Sequence, residues 1–576
     1  MNFHIQALVI IMFLACISDA QANVAGGIAA VYRAENDTVH IQGWTCQRGG
    51  LKPASVRIIL GNTASSDVPL FSTLADRKLF PKQGKCDPAS DGHGFQITLN
   101  GRDAVRFAGQ KVYAYTVQQE DNPKTTELDG SGTFSIPLSR EYERVDCKSW
   151  NGVVDRDIQL QPPNCLVATQ VVFAKPDLRL DCNGGTIDGK NWIPLPGSRG
   201  QGIGVANAKD ACERSKLVGD ASRFFDADAS GSLIENCKIS NFSFGIYFNR
   251  RAWTKPHPNS ECVPYPEYSD VNARKLDGRD LNGLLGGRER RYDYSTADVT
   301  IRNVVSTNAR DSGIFVNEYA SNWLIDGATV VGNSVGIYLE RESRQNRIIA
   351  SVIANNKNVG IAIDASANNL IEKNRIEKNG TIGVALYKNC GEAGGVTRYQ
   401  HSDGNILRHN IIRGQGGTPL NNMTLTTSYL LSLPGASKIS NPGVGVWIAS
   451  RQGLSQTWMS STKRNERAAC SDPGYGVHGE TFYTDHANNN QLIENTIDNN
   501  NLAGVIIEDD NNKLVRNNLS SSSNSRAFAG IIIGSIFRQQ NPSLGPVKNI
   551  TLSGNVLPDE TIGDAVVWIG GSAREN

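Results

Sequence analysis

The chain lacks an excess of either charge. Its 58 Lys and Arg residues stand against 57 Asp and Glu residues, and loss of Asp19 with a leader segment leaves 58 against 56, a net charge of +2. A protein that binds nucleic acid through the phosphates usually carries a clear basic excess. The near balance therefore argues against a dedicated nucleic-acid binder, and any charged ligand must be recognised by a local patch.

Long apolar runs are also absent beyond the first 22 residues, so no segment is predicted to span a membrane. Residues 1–22 combine an apolar stretch from Ile5 to Ile17 with Ala20-Gln21-Ala22 before Asn23. This pattern is typical of a secretory signal peptide. We therefore expect an exported protein, periplasmic or secreted, that is soluble once mature.

The chain contains no Cys-x-x-Cys motif, which is the common spacing of zinc ligands. Eleven cysteines are present, and removal of Cys16 with the signal peptide leaves ten. An even number in an exported chain predicts disulfides rather than metal ligands, here five disulfides with no free thiol. The pairs that we favour are Cys182–Cys237, Cys390–Cys470, Cys46–Cys86 and Cys147–Cys165.

A sustained helical stripe is missing from the second part of the chain, where short glycine-led sequences recur instead. The segments that begin at Gly313, Gly336, Gly360 and Gly383 are spaced by 23, 24 and 23 residues, and the second and fourth residues of each are apolar. Alternation with period two is typical of a strand. A fixed period of this length indicates a solenoid of stacked coils.

A second marker keeps the same register. Asparagines recur at one place in the units, at Asn322, Asn346, Asn369, Asn405, Asn490, Asn512 and Asn549. In coils of parallel strands, such residues bond one another from coil to coil at the strand spacing of about 4.8 Å. We expect an asparagine ladder, and we expect the leading glycines to make tight turns with positive φ.

The combined Gly-Ile-x-Leu, Asn-Asn-x-Ile and Asn-x-Ile pattern resembles the right-handed parallel β-helix repeats of the pectate-lyase-like superfamily, especially the NosD-type and the carbohydrate-binding and sugar-hydrolase repeats. The resemblance covers roughly residues 145–560. It implies an all-β protein with a right-handed parallel β-helix. For function it implies a hydrolase, a lyase, an epimerase or a non-catalytic protein, because the superfamily contains all of these.

Residues 23–136 differ from the repeats in having alternating strands without a coil period. We predict a signal peptide at 1–22, a small β-sandwich-like accessory domain at 23–140 and the β-helix at 141–576. The string from Ile41 to Cys46 resembles an accessory domain of exported bacterial glycan-related proteins. Trp44 in this string would either bind a glycan as an exposed aromatic or pack, buried, on a disulfide, and we favour the buried interpretation.

Long insertions interrupt the coils beside the glycine-led strand, at roughly 251–295, 389–402, 413–442 and 452–486. Loops on a rigid scaffold often carry function, and these would wall a groove over the third and fifth residues of each strand, which point outward. Outward carboxylates one coil apart repel each other. We therefore expect a raised pKa at Glu340 or Asp364, as a general acid requires.

This outward face supplies the candidate site, with a solvated face of salt bridges as the alternative. The predicted catalytic residues are Glu340, Asp364, Glu318, Tyr387 and Lys388, and the predicted substrate-binding residues are Tyr247, Asn249, Arg250, Phe315, Asn317, Tyr338, Arg341 and Trp447. Asp485 and His486 are weaker candidates. Residues 508–510, Glu-Asp-Asp, are expected to form a solvated turn.

Three functions compete for this face. The first is a glycoside hydrolase, in which Glu340 and Asp364 are the paired carboxylates that cleave a polysaccharide. The second is a polysaccharide lyase or C5-epimerase acting on a uronate-containing glycan, with Lys388, Tyr387 or Arg341 as the base. The third is a non-catalytic, NosD-like exported binding or assembly protein. We favour the hydrolase at this stage.

Cofactors and partners follow from these alternatives. No cofactor and no metal are expected, except that a lyase would admit Ca²⁺ held by Glu340, Glu342 and Asp364. The absence of a DPHD string argues against an alginate epimerase of the known type. We expect a monomer whose partner is a polysaccharide substrate, with no nucleic acid and no membrane span.

Overall fold

The computed structural model describes residues 24–34, 38–47, 54–61, 71–77, 93–118, 124–138, 141–167, 169–191, 200–205, 229–248, 254–256, 262–264, 296–317, 319–340, 342–388, 400–416, 441–449, 486–519, 529–534, 545–558 and 564–568. Contacts divide the chain into two compact units, Met1–Glu141 and Tyr142–Asn576. Within the described ranges, no helix is long and apolar enough to cross a membrane. The predicted signal peptide lies outside the described residues.

The first unit contains two antiparallel sheets. One sheet has the strands Val24–Arg33, Val39–Gln47 and Gly94–Leu99 in that order, and the other has Phe71–Leu74, Ser55–Gly61, Lys111–Gln118 and Lys124–Glu127. A short helix, Gly101–Arg106, begins after Asn100, whose side chain accepts a hydrogen bond from the backbone N–H of Asp103 at 2.8 Å. The strands bury alternate residues such as Ile41 and Phe95, and the predicted β-sandwich-like class of this unit is confirmed.

The second unit is a stack of coils in which most coils add one strand to each of three parallel sheets, here called S1, S2 and S3. S1 contains Glu143–Asp146, Ile158–Gln161, Arg179–Asp181, Leu233–Glu235, Thr300–Arg302, Leu324–Asp326, Arg347–Ile349, Leu370–Glu372, Ile406–Arg408, Gln491–Ile493, Lys513–Val515 and Thr551–Ser553. S2 contains Leu166–Val167, Thr186–Asp188, Lys238–Ser240, Val305–Thr307, Thr329–Val331, Val352–Ala354, Arg375–Glu377, Ile411–Arg413 and Thr496–Asp498.

S3 holds the glycine-led strands of the sequence repeat. Its strands are Val153–Val154, Val171–Phe173, Gln201–Val205, Phe244–Phe248, Ser312–Val316, Val335–Leu339, Val359–Asp364, Ile382–Tyr387, Val444–Ile448, Ala503–Ile507, Ala529–Ile533 and Asp564–Trp568. Outside the three sheets lie a hairpin of Thr254–Pro256 with Cys262–Pro264 and a 3-10 turn, Gly189–Asn191. The insertions at about 251–295, 389–402 and 452–486 follow S3 strands and precede S1 strands, whereas the one at about 413–442 lies between an S2 strand and an S3 strand.

The core of the stack is filled by the inward residues of these strands. Ile337 pairs in register with Ile361, Leu339 pairs with Ile363, and all four side chains are fully buried in one apolar cluster. The same inward columns continue into the preceding S3 strand, Ser312–Val316, and into the following one, Ile382–Tyr387. The inward second and fourth places predicted from the sequence are therefore confirmed.

Asparagine ladders run along the coil turns, as predicted. Nδ2 of Asn346 donates to Oδ1 of Asn369 at 3.0 Å, and Asn369, Asn405 and Asn490 continue the chain of side-chain bonds at 2.8 and 3.0 Å. The two ends differ from the prediction. At one end, Oδ1 of Asn346 accepts the backbone N–H of Trp323, the residue after Asn322, and the Asn322 side chain donates to Asp298. At the other end, Asn549 donates to Asn511.

Two further ladders occupy the other turns of the coil. Between S1 and S2, side-chain bonds of 2.9–3.0 Å link Asn374, Asn410, Asn495 and Asn517. Between S2 and S3, bonds of 3.1 and 2.9 Å link Asn333, Asn356 and Asn379. Because these amides are buried, the bonds satisfy polar groups that would otherwise destabilise the fold.

The leading glycines do not adopt positive φ, and this prediction is wrong. Gly360 lies within a strand of S3 and is absent from the residues with left-handed backbone, as are Gly313, Gly336 and Gly383. A Cβ atom on Gly360 would lie 2.6 Å from the carbonyl oxygen of Gly383 and 2.8 Å from Nδ2 of Asn379. Glycine is needed at this place because the next coil approaches too closely for a side chain.

The cysteines follow the prediction in part. Cys182 and Cys237 form a disulfide across adjacent S1 turns, with a Cα–Cα distance of 4.8 Å, as predicted. Cys147 and Cys165 are free and buried, so the prediction of no free thiol is wrong for this pair. Burial first, and then a hydrogen bond with Cys147, raises the pKa of Cys165 to about 12.

The remaining predicted pairs cannot be placed. Cys46 is disulfide-bonded, but Cys86 lies outside the described residues, and so do Cys390 and Cys470.

Candidate functional site

The outward face of S3 is formed by the third and fifth residues of each glycine-led strand. The strand register aligns Tyr338 with Ala362, Ala385 and Trp447. Ala362, Ala385 and Trp447 are nevertheless buried, in an apolar cluster separate from the core of the coils. These side chains therefore point away from the core of the coils, as predicted. They form an apolar cluster and not the solvated face of salt bridges that was the alternative.

Three aromatic rings at the third place pack against one another. The ring centroids of Tyr247 and Phe315 are 4.9 Å apart and those of Phe315 and Tyr338 are 5.0 Å apart, both edge to face. Tyr247, Phe315 and Trp447 are only 2%, 7% and 6% exposed. The rings therefore cover each other's faces, and their predicted role as flat platforms for sugar rings stays a prediction.

A chain of hydroxyl groups joins three coils beside these rings. The Tyr338 hydroxyl donates to Oδ2 of Asp364 at 2.8 Å, and the Tyr387 hydroxyl donates to that of Tyr338 at 3.4 Å. The register places Asp364 directly opposite Tyr387 on the next strand. The two predicted catalytic residues Asp364 and Tyr387 are thus brought together, through a tyrosine that the sequence assigned to substrate binding.

Electrostatics fix the direction of this hydrogen-bond chain. Burial, followed by the nearby charges of Asp364, Tyr387 and Glu340, raises the pKa of Tyr338 well above its ordinary value. The Tyr338 phenol therefore keeps its proton and donates it toward the fully buried Asp364. The raised pKa that the sequence predicts for Glu340 or Asp364 stays a prediction.

The other predicted residues divide into two groups. Asn317 is buried and its backbone carbonyl accepts a hydrogen bond from Ala320 at 3.2 Å. Glu340 is half-buried and follows its strand at the level of Val316, whose carbonyl its N–H contacts at 2.8 Å. Glu318, Arg341, Asn249 and Arg250 lie outside the described residues.

A second group of ionisable residues lies where the insertions return to the stack. Lys388 is fully buried immediately after Tyr387, and its charge acts on the Asp403 carboxylate. Burial and, less strongly, the charge of Asp509 raise the pKa of Asp403 to about 6, although the Asn488 N–H, His486 and Lys388 act to lower it. Oδ1 of Asp403 accepts the Asn488 N–H at 2.7 Å.

His486 is the partly exposed member of this group and lies beside the buried Asp509. Nδ1 of His486 lies 3.3 Å from Oδ2 of Asp509, which also accepts the backbone N–H of Ala487 at 2.9 Å. The His401 and His486 rings are 4.9 Å apart. The side chain of His486 is 31% exposed, while that of Asp509 is 1% exposed, so the buried carboxylate orients a partly exposed imidazole.

The prediction of a solvated turn at 508–510 is wrong for its first two residues. Glu508 and Asp509 are buried, and Nε1 of Trp447 donates to Oε2 of Glu508 at 3.1 Å. The sequence did contain the signal, because Trp447 and Glu508 occupy the third and fifth places of adjacent S3 strands. Asp403 and His401 carried no such signal, since they belong to the ends of insertions and not to the repeat.

Among the residues that the structure describes, no three His, Cys, Asp or Glu side chains come together as a possible metal site. Glu342, one of the expected calcium ligands, accepts the backbone N–H of Gln400 at 2.8 Å. The expectation of calcium stays a prediction.

Comparison with known proteins agrees with this architecture. The family model described as right-handed beta helix region matches residues 291–430. The chain is a right-handed parallel β-helix protein. Its resemblance to such proteins, drawn from the glycine and asparagine repeats, is confirmed.

Curated and solved relatives of this β-helix include enzymes that act on mannuronan or alginate. A mannuronan C5-epimerase of Pseudomonas putida is 34% identical over 166 residues, which are 27% of this chain and 30% of that protein. The mannuronan C-5 epimerase AlgE4 A-module of Azotobacter vinelandii matches at 14% identity and a TM-score of 0.33, covering 75% of this chain and 87% of that one. The periplasmic alginate epimerase AlgG matches at 13% identity and a TM-score of 0.36, covering 72% and 74%.

These comparisons overturn one prediction. The curated relative is a mannuronan C5-epimerase and not a glycoside hydrolase, and the match spans about a third of its length. The prediction of a glycoside hydrolase is therefore wrong.

Proposed function

We propose that this β-helix is a polysaccharide-modifying enzyme of the lyase or C5-epimerase class that acts on a uronate-containing glycan. The observation that carries the proposal is the hydrogen-bond chain from Tyr387 through Tyr338 to Asp364. The similarity to a mannuronan C5-epimerase supports the same reaction class. Both kinds of enzyme begin by removing the proton at C5, next to the uronate carboxylate.

The hydrogen-bond chain from Tyr387 to Asp364 can accept the C5 proton without creating an isolated buried charge. As the C5 proton moves to the Tyr387 oxygen, the Tyr387 proton moves to Tyr338 and the Tyr338 proton moves to the Asp364 carboxylate. The electron pair left at C5 is shared with the uronate carboxylate. Because the three groups are already hydrogen-bonded, little reorganisation accompanies the transfer.

The second half of the reaction distinguishes the two classes. In a lyase the electron pair at C5 forms a C4–C5 double bond as the C4–O bond breaks, and the leaving oxygen takes up a proton. In an epimerase a proton returns to C5 from the opposite side of the ring. His486, held by Asp509 at 3.3 Å, is the group that we assign to this second proton transfer, since its imidazole is partly exposed.

The cellular location belongs to the same proposal. We propose that the protein acts outside the cytoplasm, periplasmic or secreted, as a monomer on a polysaccharide partner. The disulfide between Cys182 and Cys237 supports an oxidising compartment.

The test is incubation of the purified protein in D₂O with polymannuronate, polyguluronate, polygalacturonate and a neutral glucan. Deuterium at C5 with altered uronate composition and no unsaturated ends identifies an epimerase. Absorbance from unsaturated uronate ends identifies a lyase. If all three acidic polymers stay unchanged, or if the neutral glucan is cut, the proposal is overturned. Parallel reactions with added Ca²⁺ and with a chelator test the calcium expectation.

A further inference from the structure

The outward face of the three-stranded sheet in the first unit carries a strip of uncharged polar and aromatic side chains. Cross-strand pairing sets Tyr32 opposite His40, Gln42 opposite Gln96, and His40 opposite Thr98. Alternate residues of a strand share one face, so these five side chains stand together. We call them the polar strip.

Hydrogen bonds connect the whole strip. Nε2 of Gln42 lies 3.1 Å from the Tyr32 hydroxyl and 2.9 Å from Oε1 of Gln96. Nε2 of Gln96 lies 2.9 Å from Nδ1 of His40, which is 2.9 Å from the Thr98 hydroxyl. Each side chain is thereby held in one conformation on an open sheet face, which lowers the entropy that binding would cost.

Aromatic surface accompanies these polar groups. Tyr32 is 42% exposed, and its ring centroid lies 5.3 Å from that of His40. Trp44 is two residues beyond Gln42 on the same strand, opposite Gly94, and is half-buried. It is not the fully buried tryptophan that the sequence favoured. A single strand therefore presents an imidazole, an amide and an indole in succession on one face.

We propose that the polar strip is a polysaccharide-binding site, separate from the β-helix site and independent of the function proposed for it. Amide and hydroxyl groups donate to and accept from sugar hydroxyls, and exposed aromatic rings supply apolar contact with a polar edge. The five side chains include no carboxylate, ammonium or guanidinium group. A neutral, hydroxyl-rich surface of a glycan chain is the ligand that matches this chemistry.

The dimensions also fit an extended chain. From Thr38 to Trp44 the central strand advances about 20 Å, and the strip crosses three strands, or roughly 10 Å. Such a surface accommodates several sugar rings in a row. The site would hold a polymer without cleaving it.

The experiment is affinity electrophoresis of the full mature chain in gels containing polymannuronate, polyguluronate or a neutral glucan, at low and high salt. Retardation by at least one polymer that persists at high salt is expected, because the contacts are not ionic. Tyr32→Ala and Gln42→Glu should each weaken that binding about tenfold. Leu74→Ala, which removes a side chain 50% exposed on the other sheet of this unit, is the control and should bind normally.

A kinetic measurement separates this site from the β-helix site. If the enzyme turns over acidic polymers, Tyr32→Ala should raise KM for the polymer and leave kcat on a short oligouronide unchanged. Failure of the proposed function would leave the electrophoresis readout intact. The inference is overturned if no polymer retards the chain, or if both strip variants bind as tightly as Leu74→Ala.

Discussion

Asp364 shows at the scale of single residues what the repeat does and does not specify. Period-two alternation and the coil spacing place Asp364 and Tyr387 next to each other, and both were found from the sequence. Tyr338 bonds Asp364 from the preceding coil, which also follows from the same columns. Asp403 and His486 could not be found in this way, because insertions separate Asn369, Asn405 and Asn490 by 36 and 85 residues instead of the usual 23.

The hydroxyl of Tyr387 is the most direct test of the proposed site. Tyr387→Phe removes the terminal oxygen of the hydrogen-bond chain and leaves Tyr338 bonded to Asp364. We expect turnover of the uronate polymer to fall about 100-fold or more. Stability should change little, since the lost bond is long, 3.4 Å, and lies at a half-buried ring. Tyr113→Phe in the first unit is the matched control, and equal activity of both variants would contradict the role of Tyr387.

Asp403 makes stability depend on pH in a defined direction. Its pKa is about 6 in the fold against an ordinary 3.8, so ionisation opposes folding. Its contribution is complete below the ordinary value and is lost as the pH rises through about 6. Relative to Asp403→Asn, the parent should lose up to about 3 kcal/mol between those pH values.

Urea unfolding of both proteins at several pH values between 4 and 7 measures this difference. The side-chain oxygen of asparagine can still accept the Asn488 N–H, so the variant is a close structural match. His486, Asp509 and Lys388, whose charges act on the Asp403 carboxylate, are unchanged in the variant. Parallel stability profiles would show that Asp403 does not titrate in this window.

At the scale of the strand and turn, the sequence identified the elements but misjudged why some residues recur. The leading glycine was predicted to serve a turn, although it lies inside a strand of S3. A sequence period reveals that a residue is required and does not distinguish backbone conformation from close packing. The distance to the next coil, 2.6 Å for a Cβ on Gly360, supplies the missing reason.

Gly360→Ala is therefore expected to destabilise the β-helix. The added methyl group would press on the backbone of the next coil. Overpacking of this kind typically lowers the free energy of unfolding by about 1–3 kcal/mol. Gly109→Asn is a suitable control, because Gly109 has open space around it and a φ of +77° that asparagine tolerates. Chemical denaturation of both variants measures the effect, and equal small losses would refute the packing explanation.

The cysteines of the first coils give a second prediction at this scale. Cys147 and Cys165 should remain unmodified in the folded protein, since both are buried and the pKa of Cys165 is raised to about 12. Alkylation after unfolding without a reductant should label both of them. Cys182 and Cys237 should become labelled only after reduction. Mass-spectrometric mapping that finds a disulfide between Cys147 and Cys165 would contradict the prediction that both are free thiols.

At the scale of the whole molecule, the fold was predictable because it is a repeat. One inward pair of residues, one strand glycine and the turn asparagines specify a typical coil, and neighbouring coils supply the rest of the contacts. The function was not predictable to the same degree. Two carboxylates on adjacent strands suggested a hydrolase. The repeat does not show which side chains of the adjacent coils bond to Asp364, and in the structure the Tyr338 hydroxyl does so.

The stack should keep its geometry when a long interruption between two of its strands is removed. Between Leu339 and Arg347 the coil turns with seven residues, 340–346, whereas 42 residues, 449–490, separate Ile448 from Gln491. The ladder bond across the interruption, Asn405 to Asn490, is 3.0 Å, equal to that from Asn346 to Asn369. The coil therefore closes in the same way with and without an insertion.

Replacing residues 450–485 by one glycine restores a seven-residue turn, since residue 449 and residues 486–490 remain. A shorter loop costs less closure entropy, by about 0.6 kcal/mol for each halving of its length, so the variant should be at least as stable as the parent. Cys390→Ser is included in both proteins because the deletion removes Cys470. Far-UV circular dichroism and urea unfolding test the prediction, and loss of the β-sheet signal or a large fall in the unfolding midpoint would show that the insertion is part of the fold and not an addition to it.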